Sequence, residues 1–341
     1  MKCEVKGLNR RDFLTLGACA AAVKCIGDPV PEVDPAEIKV ADFDAALRTL
    51  RETTMFDAEK RKAALEVVQK HIYAMKTAKA YERFRGGGLR LSPAEVAEFH
   101  RANPPLRWYD EAFDRVRDEV RTTSVTGDRP AIWYVYNMGV VVRTKTCVFA
   151  IDLCHRKACE LIPDLDFALC THNHDDHFTD DFMKGMVAAG KPFVSNFDLQ
   201  WNWYTAEERT LEIKGVRVHV TRTDHNTCLP KAMNCYEIEC GGETPFVIFH
   251  SGDSHRPDQL RSRTKNPDVF FGHCAIGFSF PEAYRTTMPA KLMVPLHHQE
   301  LGHLGGRWRC VGFHEEPAKI VRELTALGAR TAMPVWGDRI C

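Results

Sequence analysis

Between Ala36 and Arg121 apolar residues recur at helical spacing. Leu65, Val68, Ile72 and Met75 stand three or four positions apart, so a helix there would carry them as one stripe. Ser92-Pro93-Ala94-Glu95 predicts a helix start, with a serine cap, proline in the first turn and a glutamate placed to reach back to the cap. Gly86-Gly87-Gly88 just before it reads as a flexible joint. The helices of residues 36–125 read as packing material, an extension leaning on the domain that follows.

The period shortens after Gly127-Asp128-Arg129-Pro130. Residues 131–136, 139–143 and 147–152 are short runs of Val, Ile and aromatics between turn residues, and each predicts a strand. Asp166 to Thr171, Val216 to Thr221 and Pro245 to His250 predict further strands, each delivering polar residues at its end. Met293-Val294-Pro295-Leu296 ends in the same way on histidines. Glu316-Pro317 opens a late helix whose Ile320, Val321, Leu324 and Leu327 share a face, and Gly328 closes it. Strands interleaved with helices predict an α/β domain over residues 130–341, two sheets sandwiched between helices.

Composition narrows the chemistry. A chain of 341 residues has room for one large domain, or one domain with an extension. Lysine plus arginine equals aspartate plus glutamate at 46 each, so no global field gathers polyanions, which argues against a nucleic-acid partner. Twelve of the 15 histidines lie from His172 onward, and that places the chemistry in the C-terminal part. Of 13 cysteines none forms a C-x-x-C pair; the closest spacings are Cys154/Cys159 and Cys235/Cys240. Cys170 sits in an apolar stretch and reads as a small core residue, and no bridge is assigned.

The central motif is Thr171-His172-Asn173-His174-Asp175-Asp176-His177. Imidazoles and carboxylates crowded this closely call for a cation, and the donor types suit Zn, Mn or Fe. The bland alternative is a solvated polar turn, disfavoured because the motif directly follows an apolar strand. H-x-H-x-D-H after a strand resembles the signature of the metallo-β-lactamase superfamily, and residues 172–177 match every position of it. The resemblance runs from Ala131 to the C-terminus. It implies an αββα sandwich, here with an N-terminal helical extension, and two divalent metal ions. His172 and His174 would bind the first, and Asp176 and His177 the second.

The superfamily also has a third histidine, a bridging aspartate and a last histidine downstream. His225 fits the first of these, with His219 as a rival that lies inside a strand. Asp253 follows Phe249-His250-Ser251-Gly252 and fits the bridge; His297 fits the last ligand, with His298 as the alternative. On this resemblance two ions roughly 3.5–4 Å apart share a water acidic enough to supply hydroxide near neutral pH, so no serine or cysteine nucleophile is required. Asp176 and Asp253 would be the catalytic carboxylates. His255 and His250 are candidate proton donors or substrate contacts, and a hydrogen-bonded supporting role is equally open for both. His273 and His303 are weaker candidates.

Three stretches resemble the L-ascorbate-6-phosphate lactonase group of that superfamily: Thr171 to His177, Phe249 to His255 with its H-S-G-D-S-H string, and Val294-Pro295-Leu296-His297-His298. This implies a hydrolase acting on a small-molecule substrate, a polar ester such as a sugar lactone. Asp253 argues against a true β-lactamase and His174 against a flavodiiron oxidoreductase. The balanced charge argues against a tRNA-processing nuclease. A phosphodiesterase or phospholipase D-like hydrolase of the same fold stays open, as does a metal-binding protein without catalysis.

The helical segment and the first two dozen residues depart from a cytoplasmic sugar-acid lactonase. Asn9-Arg10-Arg11-Asp12-Phe13-Leu14 resembles a twin-arginine export signal, and the apolar run Phe13 to Val23, closed by Lys24, suits its core. The expected partner is therefore the twin-arginine export machinery, and the expected location the periplasm or cell envelope. Residues 1–30 then serve as signal and linker. The double change Arg10→Lys, Arg11→Lys keeps the charge and removes only receptor recognition. Cell fractionation should find this variant in the cytoplasm as a folded precursor; normal export of it would remove the assignment.

Overall fold

The computed structural model describes residues 33–34, 38–77, 80–197, 203–205, 207–226, 229–274, 278–287, 289–302 and 317–341. The signal segment 1–30, Cys228, His303 and Cys310 lie outside the described residues.

Helices α1 (Val40–Glu52), α2 (Ala58–Thr77), α3 (Ala80–Gly87), α4 (Pro93–Ala102) and α5 (Pro104–Thr122) come first. The stripe of Leu65, Val68, Ile72 and Met75 is the buried face of α2. The Ser92 cap forms as expected: its hydroxyl accepts from the Glu95 N–H, and the Glu95 carboxylate accepts from the Ser92 N–H at 2.8 Å. Such a cap is worth about 1 kcal/mol. The glycine run is not a joint. Helix α3 continues to Gly87, and Gly88 opens a short 3-10 turn at φ 54°.

Two mixed sheets follow, in the αββα arrangement expected. The first has the order β1 (Ala131–Tyr136), β2 (Gly139–Arg143), β3 (Val148–Ile151), β4 (Phe167–Leu169), β5 (Phe193–Val194). The second runs from β11 (Met293–Leu296) through β10 (Val269–His273), β9 (Phe246–His250), β8 (Met233–Cys240) and β7 (Val216–Thr223) to β6 (Arg209–Ile213). Helix α6 (Asp180–Ala188) follows the histidine motif, and α7 (Pro317–Ala326) is the late helix. The alternation along the second sheet shows its two faces. Ile248, Phe271 and Val294 join a core shared with the first sheet and helices α1, α2, α3 and α5, while Phe249, Phe270 and Met293 pack with Ile320 and Leu324 of α7.

Strands β6, β8 and β10 and helix α6 were not legible as elements. In β6 only Leu211 and Ile213 are buried, as befits an edge strand, so its apolar signal is thin. β8 carries Asn234 and Glu237 in its interior, and both are buried because each meets a specific partner. Asn234 Nδ2 donates to Thr205 Oγ1 at 2.6 Å; Glu237 accepts from the Arg263 N–H at 2.6 Å.

Helix α5 grips the chain just beyond β3. His155 is stacked between Tyr109 and Phe113, with ring centroids 3.8 and 4.1 Å away. Arg156 donates through Nε and Nη2 to the Asp110 carboxylate and through Nη1 to Gly88 O at 3.0 Å. His100 also bonds Asp110, at 3.1 Å. Burial alone would raise the Asp110 pKa, but His100 and Arg156 hold it well below the usual carboxylate range. Its stabilisation is therefore complete above the unfolded pKa of about 3.9 and is lost as pH falls towards the folded value. Breaking a buried ion pair costs about 3–5 kcal/mol. Urea unfolding of Asp110→Asn at pH 7 should show a loss of that size, and the two proteins should converge in acid. A loss under about 1 kcal/mol would mean that this grip is not a major anchor.

Candidate metal centre

In the second sheet β7, β9, β10 and β11 all point the same way, because β8 is antiparallel to both its neighbours and β9–β11 are parallel. In the first sheet β3 and β4 are parallel. Each sheet thus presents several C-terminal strand ends at one edge, and side chains from those ends converge. His172, His174, Asp176 and His177 follow β4, His225 follows β7, Asp253 follows β9, and His297 follows β11. The two edges are stitched together. Asn234 N–H donates to Thr171 O at 2.9 Å, and the Tyr236 hydroxyl donates to Cys170 O at 2.6 Å.

Gly252 is required for the approach of the Asp253 arm. It has φ 54°, and a Cβ there would lie 2.5 Å from Met233 and 2.9 Å from Thr171 Cβ. No other residue type fits without displacing the chain that carries His172.

Ligand-type atoms of His172, His174, His225 and Asp253 lie within 4.8 Å of one another, and so do those of Asp176, His177, Asp253 and His297. Asp253 belongs to both groups. In the first, the rings of His172 and His174 are 4.3 Å apart and those of His174 and His225 4.8 Å. Thr171 Oγ1 donates to Asp152 Oδ2 at 2.8 Å, so toward His172 Nδ1, 3.0 Å away, it acts as an acceptor. His172 is thereby held as the Nδ1–H tautomer with the Nε2 lone pair free to ligate. Burial, with His177 and His174 beside it, pushes its pKa well down, so the ring is neutral.

In the second group His177 Nδ1 donates to Asp152 Oδ2 at 2.9 Å, while Nε2 lies 3.0 Å from Asp253 Oδ2 and 3.7 Å from Asp176 Oδ2. His297 Nε2 is 2.9 Å from Asp176 Oδ2 and 3.6 Å from Asp253 Oδ2. Burial opposes a charge on His177, yet Asp253, Asp176 and Asp152 raise its pKa well above the usual value. Burial would likewise raise the Asp253 pKa, but His177, His273 and His297 hold it well down. Without a cation, protons on the imidazoles are what neutralise the carboxylates.

The residues fit a metal on a direct observation. His172 Nε2, His225 Nε2 and Asp253 Oδ1 are buried with no hydrogen-bond partner among the described residues. A buried unsatisfied polar atom costs about 1–3 kcal/mol, and three in one ligand group, all with lone pairs to give, are donors suited to a common cation. Imidazole and carboxylate donors suit Zn, Mn or Fe.

Other expected residues lie apart. His219 is held by Thr210 Oγ1 at 2.8 Å and Glu239 Oε1 at 2.9 Å. His250 donates from Nε2 to Met138 O at 2.9 Å and accepts from the Gly252 N–H, so it braces the turn before Asp253. His298 pairs with Gln299 and lies beside Tyr134. His255 borders the centre, its ring 5.5 Å from His225, but it is in neither ligand group. Asp152 was not named from the sequence, and His273 was only a weak candidate. Asp152, directly after β3, orients His177 and receives the Thr171 N–H at 2.7 Å. His273, at the end of β10, lies 4.0 Å from Asp253 Oδ2 with its ring 4.4 Å from His297. A polar residue ending an apolar strand was the available signal for both.

No protein-family model matches the sequence, and no curated protein matches it. Among solved structures, Igni18, a metallo hydrolase from Ignicoccus hospitalis, is similar at 15% identity and TM-score 0.48, over 62% of this chain and 97% of that one. YhfI, a metallo-β-lactamase fold protein from Bacillus subtilis, is similar at 14% and 0.41, over 63% and 95%. CmlA, a diiron β-hydroxylase from Streptomyces venezuelae, is similar at 12% and 0.44, over 72% and 59%. At such identities and TM-scores, nothing about reaction or substrate passes from them to this chain.

Changing an outer partner of a metal ligand already costs roughly 10–100-fold in affinity, so deleting a shared ligand should cost at least about 100-fold. Metal content after dialysis should therefore collapse in Asp253→Ala and stay at the wild-type level in His219→Ala. Equal, mild losses in both would show that the centre lies elsewhere.

Proposed function

We propose that the chain is a metal-dependent hydrolase that uses two divalent ions on a small polar ester, with a sugar-derived lactone as the favoured substrate. The observation that carries this reading is the pair of four-residue ligand groups sharing Asp253, with partnerless donor atoms buried in the first group and on the shared carboxylate. When bound, two divalent ions would supply an acidified water and polarise a carbonyl or phosphoryl oxygen. The chain's own part is positioning. Thr171 sets the His172 tautomer, Asp152 orients His177, and burial of the ligands excludes bulk water. A thiol nucleophile is disfavoured: burial pushes the Cys154 pKa up to about 12 and that of Cys170 well above the ordinary value.

The lactone is favoured over a phosphodiester by the H-S-G-D-S-H resemblance and by the absence of a strongly basic stretch for a phosphate backbone. We further infer, from Asn9 to Leu14 and the apolar run beyond, that the enzyme acts after twin-arginine export. Purified protein reconstituted separately with Zn, Mn and Fe should hold about two ions per chain and hydrolyse sugar lactones in preference to model phosphodiesters. Turnover confined to the diesters would select the phosphodiesterase reading; full metal loading with no turnover on either set would select a metal-binding role.

A further inference from the structure

Asn137 stands in the two-residue turn between β1 and β2, far in sequence from every ligand. It is fully buried, and its φ of 51° is left-handed, a conformation that costs about 1–2 kcal/mol in most residues and less in asparagine. Its Nδ2 donates to Asp176 Oδ2 at 3.3 Å. The opposite assignment of the amide would set two oxygens against each other, so the donor end is fixed. Its Oδ1 has no hydrogen-bond partner among the described residues, which leaves the contact to Asp176 to orient the amide. Its main-chain oxygen accepts from His297 N–H at 3.0 Å, and His297 is itself left-handed at φ 66°. One buried residue of the first sheet therefore holds two ligands of the second group: Asp176 by its side chain and His297 by its backbone.

We infer that Asn137 is a positioning residue for the second cation, the juxtaposition of its amide with Asp176 and its carbonyl with His297 fixing how those ligands meet. The inference rests on the two-metal reading above. An N–H on one oxygen of a carboxylate sets the plane in which the ligand presents itself, and a misoriented ligand costs affinity at its own site only. Asn137 acts on Asp176 and His297, neither of which belongs to the first group, so the first site should be far less sensitive to its loss.

Two variants separate the side chain from the backbone. Asn137→Gly keeps the left-handed turn and the carbonyl to His297 but deletes the amide. Asn137→Asp keeps the shape and replaces the donor with an acceptor facing Asp176. Each folded protein would be titrated with Mn²⁺, with bound metal measured directly and spin coupling read by electron paramagnetic resonance. Wild type should bind two ions with a coupled signal. Both variants should keep the first ion at unchanged affinity, bind the second roughly 10–100-fold more weakly, and show the uncoupled signal of a lone ion. If Asn137→Gly does not fold, Asn137→Asp decides. Two tightly bound, coupled ions in the variants would overturn the role of Asn137 and leave the two-metal reading intact. Only trace metal in wild type would overturn both.

Discussion

The Asp253 carboxylate lies buried between two sets of imidazoles, and a charge in such a place must be compensated on every side or it destabilises the fold. Compensation by protons on His177 and His297 is available, but a proton satisfies one atom pair at a time. A divalent cation can satisfy several donors at once, and this explains why unpartnered donors persist around a carboxylate that already has imidazoles beside it. The architecture follows from bringing those donors together. Parallel neighbours within each sheet send their C-terminal ends to one edge, and hydrogen bonds across from β8 and its surroundings hold the two edges close.

The helical segment contributes to this geometry rather than merely covering a sheet. Helix α5 clamps His155 between two rings and holds Arg156 with a buried carboxylate, so the chain leaving β3 has one path. That path begins at Asp152, the residue that orients both His177 and the Thr171 backbone. A rigid helix–loop contact is thus transmitted to a ligand through a single carboxylate. Asn137 does comparable work through the turn between β1 and β2, whose left-handed backbone asparagine tolerates and whose side chain meets Asp176.

Much of the candidate ligand set was legible because the chemistry is local. His172 to His177 lie within one loop, and crowded imidazoles beside carboxylates have few explanations other than a cation. His225, Asp253 and His297 could be named because the resemblance to the metallo-β-lactamase superfamily implies three further ligands and each of these follows an apolar run that reads as a strand. The same reasoning could not separate His297 from His298, adjacent residues at one strand end; the backbone at His297 sends one ring to Asp176 and leaves the other beside Tyr134. For His250 it left two roles open, and the structure shows the hydrogen-bonded, supporting one. That side chain is turned to Met138 in the turn between β1 and β2, a contact between segments far apart in the chain.

The sequence by itself therefore determined the donor types, the loop that crowds them, the alternation of strands and helices, and the capped start of α4. These depend on residues within a few positions of one another, where periodicity and spacing carry the physics. Tertiary structure alone decided that Asp152, Asn137 and His273 stand at the same centre, and that Gly86 and Gly87 continue a helix. Those outcomes depend on which strand ends meet across two sheets, and that is settled by burial and long-range hydrogen bonding, which no local pattern encodes.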